Sequence, residues 1–209
     1  MLLAIDTSTG TSVAVASRSG VLAVRTSADT RGHAEAIGAY LRDVLAEAGV
    51  SPDELEGVAV GMGPGPFTGL RVGIAAARTF ALGIGRPVLP LVSHDAVAFG
   101  QPDAVLVVTD ARRRELAWSA YAAVAPGALP ERVAGPALAP ADALDEIVAA
   151  AVTGYGGYRR IDAATIDAGA LARLALARLD AGAEFAPAEP VYLRAPDVTL
   201  PSGPKTVLG

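Results

Sequence analysis

Apolar and polar positions alternate along the chain in stretches that read as strands and helices. Leu2 to Ile5 is a short apolar run, and Val13 to Ser17 and Val21 to Thr26 alternate with period two around the turn Arg18-Ser19-Gly20. This pattern predicts three consecutive antiparallel strands. From His33 to Ala48 the apolar positions Ile37, Leu41, Val44, Leu45 and Ala48 recur at helical spacing, ahead of Gly49, a residue suited to the left-handed position that closes a helix. Ser51-Pro52-Asp53-Glu54 has the shape of a capping box, and Val58-Ala59-Val60 reads as a buried strand. A Gly/Pro-rich loop then opens a helix from about Thr68 to Ile84, followed by a strand within Pro87 to Val92. The order is βββαβαβ.

Around Gly100-Gln101-Pro102-Asp103 the pattern breaks and restarts. Ala104 to Asp110 and Glu115 to Val124 look like two strands joined by a polar turn, and the Pro- and Ala-rich stretch Pro126 to Pro140 is loop or edge strand. Asp142 to Val152 and Asp167 to Leu179 are helical by period, each opened by an Asp suited to the N-cap. The reading is an α/β protein in two parts, residues 1–98 and 99–209. The tail from Pro187 lacks periodicity, and its last ten or so residues are expected to lack order.

Composition narrows the classes. Of 209 residues, 52% are hydrophobic and 19% charged, and the formal charge is −5. A chain of this kind can bury a core, lies outside the disordered class, and is not a stand-alone electrostatic binder of nucleic acid. Much of the apolar share is alanine, which adds little volume. With no cysteine there is no disulfide, zinc ribbon or thiol nucleophile, which fits a reducing compartment, and cytoplasm is the expectation. Met1 to Ile5 meets Asp6 with no basic segment before it, and Arg71, Arg78 and Arg86 interrupt the most apolar stretch, so neither a targeting segment nor a membrane span is expected.

Candidate chemistry concentrates in a few places. Gly61-Met62-Gly63-Pro64-Gly65-Pro66-Phe67-Thr68-Gly69-Leu70-Arg71 runs from a strand into a helix and offers backbone N–H groups where an anion could bind; a tight strand-to-helix crossover explains it equally well. It is neither a Walker loop nor a dinucleotide fingerprint. Asp6, Thr7 and Ser8 follow the first strand, Asp110 ends a similar strand in the second half, and Gly154-Tyr155-Gly156-Gly157 forms a small loop. Two strand-end aspartates suggest a nucleotide cleft, with the Gly154 and Gly156 loop approaching it closely; each also serves as an ordinary turn. Ser93-His94-Asp95 has the residue types of a triad, but neighbouring side chains diverge. His33 is the other histidine, so no paired-histidine metal motif exists and no catalytic or metal-ligating residue is assigned. Arg112-Arg113-Arg114 reads as a solvated turn that could assist an RNA contact made mainly by another subunit.

These residues carry a resemblance. Ala4-Ile5-Asp6-Thr7-Ser8, the run Gly63 to Ile74, and Glu189-Pro190-Val191-Tyr192-Leu193-Arg194 closely resemble the bacterial TsaB family, also called YeaZ; Asp110-Ala111-Arg112 with Glu115 and Trp118 looks like its second-domain signature. The resemblance spans most of residues 1–124 and returns at the tail. It implies an actin-like fold of the sugar-kinase and heat-shock ATPase superfamily, duplicated as two βββαβα subdomains. It also implies work on threonylcarbamoyladenosine at adenosine 37 of tRNAs that read codons starting with A, as the non-catalytic partner of a TsaD-type transferase, with a TsaE-type ATPase and with tRNA reached through the complex. No cofactor is implied for the chain alone, although ATP or ADP could sit at the interface with the paralogue. The transferase has a His-x-x-x-His pair where this chain reads Ser93-His94-Asp95-Ala96-Val97. An independent kinase or ATPase of the superfamily is the alternative, and a glycoprotease is a weaker third.

The Thr68–Ile84 helix suggests where a partner docks. Leu70, Ile74, Ala77, Ala81 and Ile84 form one stripe, and Val72, Ala75, Ala76 and Thr79 cluster on the opposite side. With Tyr40 they are expected to meet the paralogue or a second copy, and Gly69, Gly73 and Ala77 are expected to allow close helix approach.

Overall fold

The computed structural model describes residues 1–30 and 32–194, so the expectation for the last ten or so residues lies outside the described residues. Strands β1 (Leu2–Asp6), β2 (Thr11–Ser17) and β3 (Gly20–Ser27) form an antiparallel meander. They are followed by α1 (His33–Ala48), a 3₁₀ turn at Pro52–Glu54, β4 (Gly57–Gly61), α2 (Phe67–Gly83) and β5 (Val88–Leu91). In space the order is β3-β2-β1-β4-β5, with β4 parallel to β1 and β5 parallel to β4. After the short helix α3 (Ser93–Ala98) come β6 (Val105–Asp110), β7 (Glu115–Tyr121), β8 (Arg132–Pro140), α4 (Leu144–Ala151), a 3₁₀ turn at Tyr155–Gly157, β9 (Arg159–Asp162) and α5 (Ala168–Ala181). The second sheet runs β8-β7-β6-β9, with β7 antiparallel and β9 parallel to β6. It repeats the first sheet without a fifth strand.

Strand alternation sets the layers. Leu3, Ile5, Val13 and Val15 point to one face of the first sheet, where they meet Ile37 and Val44 of α1 and Leu70, Ile74 and Ala77 of α2. The alternate positions Leu2, Ala4, Ala14 and Ala16 are mostly alanine, and this shallow face receives Leu171, Leu174 and Ala175 of α5. A smaller core joins Leu106, Val108, Trp118, Leu144 and Val148 in the second part.

The two sheets separate along the chain where the break in pattern falls, but the assignment of everything after residue 99 to the second part does not describe α5. That helix packs on β1 and β2, and its start is pinned there: the Asp167 carboxylate caps Gly169 N–H at 2.7 Å and Ser12 Oγ accepts from Ala168 N–H at 3.0 Å. Only in three dimensions does the alanine face of the first sheet acquire its helix.

Candidate functional site

Helix α3 ties the two sheets together with three consecutive side chains. Ser93 Oγ donates to Asp6 Oδ2 at 2.6 Å. The two ring nitrogens of His94 are bonded to Ser119 Oγ at 2.9 Å and Thr109 Oγ1 at 3.0 Å. Asp95 accepts from Tyr121 Oη at 2.8 Å and lies 3.4 Å from the guanidinium of Arg132 and 3.6 Å from that of Arg178. The residue types of a triad are thus spent on β1, on β6 and β7, and on β7, β8 and α5. Burial, with a smaller push from Arg132, lowers the His94 pKa to about 3. Burial raises Asp95 against the opposing pull of Arg132, Tyr121 and Arg178, and it raises Tyr121 well above its ordinary value, helped by Asp95.

The Asp6-Thr7-Ser8 turn is sealed. Asp6 Oδ1 accepts from Ser8 N–H at 2.8 Å and from Ser8 Oγ at 2.5 Å, and Thr7 Oγ1 donates to Gly69 O at 2.7 Å while accepting from Gly73 N–H at 3.1 Å. Burial raises the Asp6 pKa, opposed by the Ser8 and Ser93 hydrogen bonds. Glycines make this closeness possible. A Cβ on Gly61 would stand 1.7 Å from Asp6 Oδ2, one on Gly65 2.6 Å from Ser8 O, and one on Gly73 2.2 Å from Thr7 Oγ1. The small residues of α2 therefore admit the Asp6–Ser8 turn, which corrects the expectation that Gly69, Gly73 and Ala77 serve a partner helix: all three are buried within the chain.

A cavity of about 450 Å³ opens between the sheets, lined by residues 64–67, 109–113, 117, 138 and 192–194. Of the residues expected to hold a nucleotide, Asp110 lines it, and Asp6, Thr7, Ser8, Gly154 and Gly156 do not. The first three are consumed by internal hydrogen bonds. The Gly154 loop makes no close approach, because a Cβ on Gly154 or Gly156 would meet nothing within 4 Å; its Tyr155 instead donates to Asp145 of α4 at 2.6 Å. Among the described residues no cluster of three or more His, Asp or Glu side chains is placed to hold a metal ion.

The tail straps this cavity. Val191 N–H bonds to Met62 O at 2.7 Å, the Tyr192 ring lies 4.4 Å from that of Phe67, and Arg71 sits 3.7 Å over Phe67 while donating to Tyr192 Oη at 3.2 Å. Arg194 then crosses to the β6–β7 turn, donating to Ala111 O, Arg112 O and the Glu115 carboxylate. In that turn Arg112, Arg113 and Arg114 all adopt positive φ, at 60°, 55° and 62°, a region that side chains other than glycine enter at a cost. Sequence reasoning missed the strap and the Asp95 cluster. The signal available was an apolar and aromatic segment, Val191-Tyr192-Leu193, standing outside any period.

Among the described residues the face of α2 opposite the core is only partly covered. Ala75 and Thr79 are exposed, Val72 and Ala76 half-buried, and Leu82 is 83% exposed. Tyr40, expected among the exposed positions, is half-buried and packs against the first core, a correction that follows from α1 lying beside α2.

Two sheets of matching order, each a meander continued by a parallel strand, define the duplicated α/β architecture of the actin-like class. A family model described as TsaD, tRNA N6-adenosine threonylcarbamoyltransferase, matches residues 20–176. An uncharacterized protein of Mycobacterium tuberculosis is 37% identical over 203 residues, spanning 94% of this chain and 92% of its own length. The tRNA threonylcarbamoyladenosine biosynthesis protein TsaB of Escherichia coli is 32% identical over 125 residues, 57% of this chain and 54% of its own. The structure of YeaZ from Pseudomonas aeruginosa has a TM-score of 0.72 at 27% identity, over 92% of this chain and 99% of that one. The chain belongs to the TsaB, or YeaZ, family.

Proposed function

We propose that this chain acts in the biosynthesis of threonylcarbamoyladenosine in tRNA, as a non-catalytic partner of a TsaD-type transferase. The family membership supports the pathway. The observation that carries the role is the partly uncovered face of α2, where Ala75, Thr79 and the 83%-exposed Leu82 stand opposite a fully packed stripe. An apolar helix face left in water is a cost that association removes. The site chemistry agrees with this assignment. Both ring nitrogens of His94 are engaged in the interior, His33 bonds Thr11 Oγ1 at 2.8 Å, and Asp6 is closed off by Ser8 and Ser93.

A TsaE-type ATPase and tRNA complete the assembly in this reading, which places the chain in the cytoplasm. Two copies of the chain pair through the same face when the paralogue is absent. Among the described residues no helix is long and apolar enough to cross a membrane.

The test is reconstitution. Modified nucleoside, measured by mass spectrometry of digested tRNA, should require this chain together with the transferase and should be absent with this chain alone. Turnover of ATP by the purified chain, abolished by Asp6→Ala or Asp110→Ala, would instead establish the kinase-like alternative.

A further inference from the structure

The two sheets are tied together at α3 and again at the β6–β7 turn, and the ties differ in kind. Helix α3 packs on both β6 and α5, and its Ser93, His94 and Asp95, all buried, bond to Asp6 of β1, to Thr109 and Ser119, and to Tyr121. The ties at the turn are open to water. Arg112 Nη2 donates to Thr30 Oγ1 at 3.2 Å, and Arg194 donates to Ala111 O at 3.0 Å, to Arg112 O at 3.3 Å and to the Glu115 carboxylate. The Arg194 and Glu115 side chains are 34% and 33% exposed, and an ion pair this wet holds weakly.

The segment that carries Arg194 is anchored on the first sheet. Ala186 N–H bonds to Pro90 O of β5 at 3.0 Å, and Arg78 of α2 donates to Ala188 O. Val191 N–H bonds to Met62 O at 2.7 Å, and the Tyr192 ring lies 4.4 Å from Phe67 while its hydroxyl accepts from Arg71 at 3.2 Å. From these anchors on β5, on the loop after β4 and on α2, Arg194 reaches over to the second sheet. The turn it grips holds Arg112, Arg113 and Arg114 at positive φ, a conformation that persists only while surrounding contacts sustain it. A strained turn under a half-exposed clamp has a second state within reach, with the clamp off and the turn relaxed.

We propose that residues 186–194 are a releasable strap that holds the cleft between the sheets closed. Arg194 is its buckle on the β6–β7 turn and α3 is the hinge. On release the second sheet turns away from the first as a packed body, because its core of Leu106, Val108, Trp118, Leu144 and Val148 draws on no described residue of the strap. The opening of the cleft is thereby set by the chain's own tail, whatever the pathway in which the chain works.

The experiment measures the distance between two spin labels in the full chain. With no native cysteine, Ala34→Cys on α1 and Glu146→Cys on α4, both exposed, take the labels as a unique pair, one beside each sheet. The parent distribution should be single and narrow. Arg194→Ala should lengthen the mean by about 5 Å, the displacement that a rotation of about 15° gives at roughly 20 Å from its axis. Tyr192→Ala, which frees the strap from α2 instead of from the turn, should reproduce the lengthening. Trp118, the one tryptophan and 3% exposed in the second core, reports packing, and its emission should keep the parent wavelength in both variants. An unchanged or shortened distance in Arg194→Ala overturns the proposal, since α3 and the Thr30 contact would then suffice. So does a lengthening that Tyr192→Ala fails to reproduce, which would confine Arg194 to a role within the turn. A red-shifted Trp118 emission accompanying the lengthening also overturns it, because the second sheet would then be losing its core and not turning on a hinge.

Discussion

Ser93 Oγ bridges the two parts of the Asp6 environment, donating to Asp6 Oδ2 at 2.6 Å while accepting from Gly63 N–H at 3.1 Å. One hydroxyl therefore holds the end of β1, the Gly/Pro loop and the start of α3 in a fixed relation. The carboxylate it serves is buried, and the remaining space beside it exists because residue 61 has no side chain.

Ser93→Ala leaves Asp6 Oδ2 and Gly63 N–H without that partner. The expected cost is about 1–3 kcal/mol of stability at pH 7, read from urea denaturation. Because burial has already raised the Asp6 pKa, loss of a donor to the ionised form raises it further, and the deficit should shrink as the pH falls toward 4. A deficit that grows toward acid would show that Ser93 does not support the carboxylate.

Gly73 tests the seat of α2. In a helix interior Gly→Ala normally gains about 1 kcal/mol, but here the new Cβ would lie 2.2 Å from Thr7 Oγ1. Gly73→Ala should therefore destabilise, and Thr7→Ala in the same chain should recover part of the loss. Thr7→Ala alone forfeits the hydrogen bonds to Gly69 O and Gly73 N–H, so the double-mutant cycle should show a favourable coupling of about 0.5–3 kcal/mol. Additive losses would count against the steric account.

The order of the elements was legible in the sequence because each long element has a clean period: α1 begins and ends at the residues expected, and the three-strand meander is where the alternation places it. α3 was not legible, since six residues are too few to display a helical period. β9 was missed because its sequence Arg159-Arg160-Ile161-Asp162 is mostly charged, and its strand character comes from pairing with β6. The same limit governed the site. Asp6, Thr7 and Ser8 carry the residue types of a phosphate site, and nothing in their local sequence announces that Ser93, 87 residues away, closes it. The packing of α5 on β1 and β2 is likewise a long-range outcome, visible in the sequence only as an excess of alanine at positions 4, 14 and 16.

His94 predicts an acid sensitivity with a definite sign. Its ordinary value of 6.5 applies to the unfolded chain, whereas in the fold it falls to about 3. Its contribution is therefore fully present above pH 6.5 and is lost as the pH falls from 6.5 toward 3, at about 1.4 kcal/mol per pH unit. His33, also lowered chiefly by burial, acts in the same direction. Asp6 and Asp95 act oppositely: with raised values, their contributions are lost as the pH climbs from 3.8 through their folded values. His94→Gln isolates the first effect. Between pH 7.5 and pH 5 its stability should fall about 2 kcal/mol less than that of the parent chain, measured by urea midpoints; identical slopes would place the His94 proton affinity in the fold near its ordinary value.

Thr79→Arg probes the outer face of α2. Thr79 and Ala75 are exposed, and Leu82 one turn on is 83% exposed, so an arginine meets only water in the isolated chain, and folding stability should change by no more than about 0.5 kcal/mol. In a complex that buries this face the guanidinium would lose its water without gaining a partner, a penalty of about 2–5 kcal/mol, which is roughly thirtyfold or more in affinity. The arginines already on this helix do not defeat the test, because both are turned aside: Arg71 lies over Phe67 and bonds Tyr192, and Arg78 bonds the carbonyl of Ala188 in the tail. Analytical ultracentrifugation of the chain alone, and with a TsaD-type paralogue, should show association lost in the variant at concentrations where the parent chain is complexed. Unchanged association would move the docking surface off α2, and a variant that unfolds would mean that Thr79 is not exposed in the isolated chain.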